Sequence, residues 1–71
     1  MLIWRLLNTA DAPTACHIRR DDPEQPVWQL TVYRGAEVFM AEAHNSSTRA
    51  WQRSTEIWEV MRELGWNESR H

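Results

Sequence analysis

Seventy-one residues with a formal net charge of -2, eight arginines and no lysine allow one small domain and argue against a dedicated polyanion binder, which normally carries a net basic surface. The single cysteine, Cys16, rules out an internal disulfide, and histidines only at positions 17, 44 and 71 do not give the compact ligand spacing of a zinc site. A chain this short then depends on rich apolar packing or on a second subunit. Five tryptophans supply the packing: each large aromatic buries roughly 150–250 Å², or on the order of 4–6 kcal/mol before entropy at about 25 cal/mol/Å².

The first segment, "MLIWRLL", reads as a strand over about residues 2–7 through the alternation of Leu2, Trp4 and Leu6, although Leu2, Ile3, Leu6 and Leu7 also fit a short helix. A helix that short is marginal alone, which favours the strand. "MLIWRLLNTADA" carries Arg5, has no charged lead, and is too short and too polar for a secretory signal or a membrane span. Together with one reduced cysteine, this leads us to expect a cytoplasmic protein. After an "NTADAPT" loop, residues 15–20 form a second expected strand, with Cys16 and Ile18 on one face and His17 and Arg19 on the other. The two prolines of "DDPEQP" break the ladder and mark a turn-rich connection.

A hairpin follows over residues 27–33 and 37–44. Trp28, Leu30 and Val32 share one face, while Gln29, Thr31 and Tyr33 share the other. A two-residue turn at Arg34-Gly35 pairs Leu30 with Phe39 and Trp28 with Ala41, so that Phe39, Ala41 and Ala43 face the core and Val38, Met40 and Glu42 face away. A bulged turn in place of the two-residue one shifts this register by one and swaps the faces of the second strand.

The last element is a helix over about residues 48–64. Ser47, then Ser46, is the favoured N-cap, Gly65 stands where a left-handed C′ residue belongs, and Trp66 at C″ can pack back on Met61. Ala50, Ser54, Ile57, Met61 and Leu64 make the core stripe. Trp51 and Trp58 lie together on its flank, where they are expected to seal the N-terminal strand from the side. Residues 67–71 are expected to fray.

The fold expected is therefore α+β: a three- or four-stranded antiparallel meander with one C-terminal helix on one face. Its core is expected to hold Trp28, Leu30, Val32, Phe39, Ala41, Ala50, Ile57, Met61 and Leu64, with Cys16, Ile18 and Trp66 at the margins.

No catalytic, metal or cofactor motif stands out. Cys16 and His17 are neighbours on a strand and point to opposite faces, so they cannot act as nucleophile and base for each other. Gly35 and Gly65 are accounted for by turn and cap geometry, which leaves no phosphate-cradling loop. The expected role is a non-catalytic protein-binding domain of the adaptor, regulator or inhibitor type, of bacterial or phage character and capable of forming a homodimer. Trp51, Trp58, Tyr33, Met40 and Val38 are the contact candidates, since aromatic residues and methionine are enriched at interfaces. The alternative is a nucleic-acid-binding module that uses Arg19, Arg20, Arg34, Arg49 and Arg53 on the sheet face or at the helix start.

Overall fold

The computed structural model describes residues 1–8, 11–20 and 22–68. Their elements follow in the order β1 (Leu2–Asn8), β2 (Asp11–Arg19), β3 (Trp28–Arg34), β4 (Glu37–His44), α1 (Ser47–Glu63) and β5 (Asn67–Glu68). Antiparallel pairing of sequence neighbours makes β1 to β4 a meander, and α1 packs across one face of it. The α+β expectation holds. One element is added: β5 pairs Asn67 with Leu7 and Glu68 with Leu6, giving the sheet order β4-β3-β2-β1-β5. Residues 67 and 68 are therefore strand rather than frayed tail; residues 69–71 lie outside the described residues.

The N-terminal segment is a strand, and its outward-facing residues follow from two irregularities. The first falls between Leu2 and Trp4, so Trp4 and Leu6 pair with Cys16 and Thr14 on the helix side while Leu2 pairs with His17 and is exposed. The second falls between Leu6 and Asn8, beside Pro13, which has no N–H to give to a ladder. Its carbonyl accepts a bond from Gly35 N at 2.8 Å instead. With this irregularity absorbing the proline, β2 starts at Asp11, earlier than the expected residue 15.

The β3–β4 hairpin departs from the expected register. The turn residues are Gly35 and Ala36, with Arg34 opposite Glu37 and Tyr33 opposite Val38. Gly35 has φ +61, as the first central residue of a II′-type hairpin turn requires. Moving the turn by one residue shifts pairing by two positions and leaves the faces unchanged. The swap comes from the next step: Val32 pairs with Met40, so Phe39 is an extra residue in β4. Beyond it Leu30 pairs with Glu42 and Trp28 with His44, in place of Phe39 and Ala41. Met40 consequently turns inward against the core, and Phe39 is 53% exposed.

The core is Leu6, Cys16, Ile18, Leu30 and Val32 from the sheet, with Ala50, Ile57, Met61 and Trp66 from the helix and its end. Burying a residue such as Leu30 or Val32 contributes about 1.5–3 kcal/mol each. Cys16, Ile18 and Trp66 are thus central rather than marginal, and Leu6 joins them. Phe39, Ala41 and Leu64, expected inside, are exposed. The β4 bulge removes the first two, and Leu64 is the C-cap residue, past the last helical turn that meets the sheet. Trp28 is half-buried and packs on the core's edge.

Both helix ends are closed by side-chain or backbone bonds. Ser46, not Ser47, is the N-cap: its backbone is extended, and its hydroxyl accepts from Arg49 N at 3.1 Å. At the other end Gly65 N donates to Arg62 O and Trp66 N donates to Met61 O, each at 3.1 Å. Those two bonds are a Schellman motif with Gly65 at C′. Gly65 has φ +99, and a Cβ added there meets nothing within 4 Å. Gly65→Ala therefore acts through backbone strain alone and is expected to destabilise the fold by about 1–2 kcal/mol. Chemical denaturation checks this; Gly65→Asn should cost less, because asparagine tolerates the left-handed region better.

Candidate functional site

The flank of α1 and the start of β1 enclose a shallow cleft. Trp51 and Trp58, one helical repeat apart, face Ile3 and Trp4 across a space of about 250 Å³, with Ser54 and Thr55 at its floor and rim. Trp4 is fixed by its indole N–H, which donates to Ser54 O at 3.0 Å. Ser54 is fully buried, and its hydroxyl donates to Trp51 O at 2.7 Å. Trp58 is half-buried against the core with the Arg62 guanidinium 5.4 Å over its ring. Trp51 is 44% exposed. The two tryptophans thus divide the roles expected of them: Trp58 seals the flank beside the N-terminal strand, and Trp51 offers its indole to solvent. Ile3 and Trp4 complete the cleft, and the strand-or-helix ambiguity of "MLIWRLL" hid them.

The opposite face of the sheet is uncovered by any helix. It carries Arg5, Ala15, His17 and Arg19 from the first two strands, Gln29, Thr31 and Tyr33 from β3, and Val38, Ala41 and Ala43 from β4. His17 and Tyr33 meet edge to face, with centroids 5.4 Å apart and planes at 89°. Val38 is exposed beside Tyr33, as expected. Met40 is not on this face; it packs against the core because of the bulge at Phe39.

The five arginines proposed for nucleic-acid contact do not form one surface. Arg20 closes the β2–β3 connection, donating from Nε to Gln25 O at 3.0 Å and from Nη2 to Pro23 O at 2.8 Å, with Trp28 under its guanidinium. Arg34 lies 4.6 Å over Phe39, and its Nε is buried without an acceptor among the described residues. Arg53 donates from Nε to both Glu42 carboxylate oxygens at 3.1 Å and from Nη1 to Glu56 at 3.2 Å. The bond to Glu42, then that to Glu56, raises its already high pKa further. His44 also meets Glu42 at 3.0 Å. Arg49 is exposed near the helix start, away from Arg19 on the open sheet face. Arg5, which joins Arg19 on that face, was concealed by the same unresolved alternation in residues 1–7.

No group of three or more His, Cys, Asp or Glu side chains is placed to hold a metal ion among the described residues. Among the described residues no helix is long and apolar enough to cross a membrane. Cys16 is wholly buried between sheet and helix, and burial pushes its thiol from 9.0 up to about 11. The folded chain therefore holds the neutral thiol at pH values where the unfolded chain has lost its proton. That contribution is fully present below pH 9 and is lost as pH rises towards about 11. Stability should fall over this window by on the order of 2 kcal/mol more than it does in Cys16→Ala, as read by denaturation at stepped pH. In the same samples a thiol reagent should label Cys16 at neutral pH only on unfolding.

The chain matches no family model, and no curated protein or solved structure is significantly similar to it.

Proposed function

We propose that this domain is a non-catalytic, cytoplasmic protein-binding module that docks on its partner through the cleft between α1 and β1. The observation that carries this reading is the juxtaposition of Trp51, Trp58, Trp4 and Ile3 around one open space. Tryptophan is among the residue types that dominate binding energy, above all where it borders a pocket the partner can fill. One wall of the cleft is tied to the helix by the Trp4 indole N–H, which donates to Ser54 O, and Arg62 lies over Trp58. The cleft suits an aliphatic or aromatic side chain of the partner, with the Trp51 indole folding over it. A buried, neutral Cys16 is compatible with a reducing compartment.

Strand pairing between two copies at the β4 edge is disfavoured. Glu42 points inward from that edge strand to Arg53, and the extra residue Phe39 distorts its ladder; both features hinder edge-to-edge association. In this reading the partner is a different protein. Pull-down from the source organism with the wild type, Trp51→Ala and Val60→Ala tests it. Val60 is an exposed apolar residue of the same helix that does not line the cleft. A partner retained by Val60→Ala and weakened at least about tenfold by Trp51→Ala is the expected result. A partner indifferent to Trp51 refutes the cleft as the docking site.

A further inference from the structure

The tryptophan cleft offers hydrogen-bond donors but few acceptors. The Trp4 indole N–H is already given to Ser54 O at 3.0 Å. The indole N–H groups of Trp51 and Trp58 donate to no acceptor among the described residues. Ser54 is buried, and its hydroxyl and that of Thr55 both donate to Trp51 O, at 2.7 and 3.2 Å. The Thr55 oxygen is therefore the one exposed side-chain acceptor among the described residues that line the cleft. A partner rich in carbonyls and poor in N–H groups fits this wall. An N–H pressed against it would lose its bond to water and find no replacement.

Proline has a carbonyl and no N–H. A run of prolines adopts a left-handed extended helix of three residues per turn, whose backbone makes no internal hydrogen bonds. That repeat matches the cleft. Trp51 and Trp58 are one helical repeat apart on α1, about 10.5 Å at a rise of 1.5 Å per residue. Prolines three apart on the extended helix are separated by about 9.3 Å. Charge adds a further match. No carboxylate lines the cleft among the described residues. Beyond Trp58 the Arg62 guanidinium lies 5.4 Å over that ring and meets no carboxylate among the described residues. Arg62 is about 6 Å further along α1 than Trp58, the rise of roughly two residues of the extended helix.

A second copy of the chain does not supply such a ligand. Pro23 and Pro26 have the spacing, but they sit in a closed turn. Gln25 N donates to Asp22 O at 3.1 Å, and the carbonyls of Pro23 and Gln25 accept from Arg20.

We propose that the cleft binds a proline-rich segment of another protein as a left-handed extended helix. Prolines three residues apart rest on Trp51 and Trp58, neighbouring carbonyls accept from the two indole N–H groups, and an acidic residue two positions beyond the second proline meets Arg62. The proposal rests on the reading of the cleft as the docking site and names the chemistry of its occupant.

Fluorescence anisotropy with three labelled decapeptides tests it: proline alone, proline with one glutamate at the seventh position, and a mixture of alanine and glutamine. Both proline peptides should bind, and the third should not. The glutamate should tighten binding roughly 1.5- to 5-fold, the range of an exposed ion pair, and Arg62→Gln should erase that gain. Trp51→Phe keeps a ring and removes the N–H, so it should weaken binding roughly 2- to 12-fold, the range of one neutral hydrogen bond. Trp51→Ala should bind more weakly still, with its circular dichroism unchanged because Trp51 is exposed. No binding of either proline peptide at millimolar concentration, equal binding of the alanine–glutamine peptide, affinity unchanged in Trp51→Phe, or a glutamate effect that is absent or survives Arg62→Gln would each overturn the proposal. If the partner recovered by pull-down needs Trp51 while the proline peptides fail to bind, the cleft stands as the docking site and the proline ligand alone is refuted.

Discussion

The guanidinium of Arg34 lies 4.6 Å over the ring of Phe39, and Phe39 is the residue that the pairing of β3 with β4 passes over. Because side chains alternate along a strand, one extra residue inverts every position beyond it. Met40 enters the core, Glu42 turns to Arg53 on the helix, and Ala41 and Ala43 go outside. Without that inversion Glu42 would lie on the open face, away from Arg53. The exposed aromatic at the bulge is covered by a cation from the neighbouring strand, a contact of about 0.5–1 kcal/mol at exposed sites. The character of both faces thus depends on one insertion near the hairpin turn.

The two faces then serve different ends. On the helix side the sheet buries Leu6, Cys16, Leu30 and Val32, and at its β1 border a cleft of indoles remains because α1 does not cover Ile3 and Trp4 completely. The other side mixes polar, basic and small residues with the exposed Leu2 and Val38, and a single layer of sheet leaves it uncovered. The hydrogen bond from Trp4 to Ser54 O joins sheet to helix where apolar packing thins out at the border. It also holds the wall of the cleft in place.

The sequence makes the helix plain at both ends because its signals are local. The serines at 46 and 47, Gly65 and Trp66 each act within one turn, and the adjustments are one residue at each end, Ser46 as the N-cap and Leu64 as the exposed C-cap. The interior of β2 and β3 was equally readable, since alternation of Cys16 and Ile18, or of Leu30 and Val32, needs no knowledge of a partner strand. Register is different. Whether Phe39 or Met40 faces inward depends on the bulge at Phe39, where the contact of β4 with β3 skips one residue. No local pattern in "EVFMAEAH" reports that contact. Of the candidate site, Trp51 and Trp58 followed from helical spacing, whereas Ile3, Trp4 and Arg5 depended on pairing between the first strand and residues ten or more positions away.

The placement of β5 has a consequence for how the chain assembles. Strands β1 to β4 pair with their sequence neighbours and can zip up through short loop closures, but Leu6 and Leu7 meet Glu68 and Asn67 across nearly the whole chain. The helix must first carry the chain from the β4 edge over the sheet to the β1 edge. Closing so long a loop costs entropy that only prior docking of α1 can reduce. By loop-closure entropy the outer border of β1 is expected to be completed after the rest of the sheet. The wall that Trp4 contributes to the tryptophan cleft stands on that same strand, so any force or ligand that steadies the cleft also slows the unlatching of the sheet.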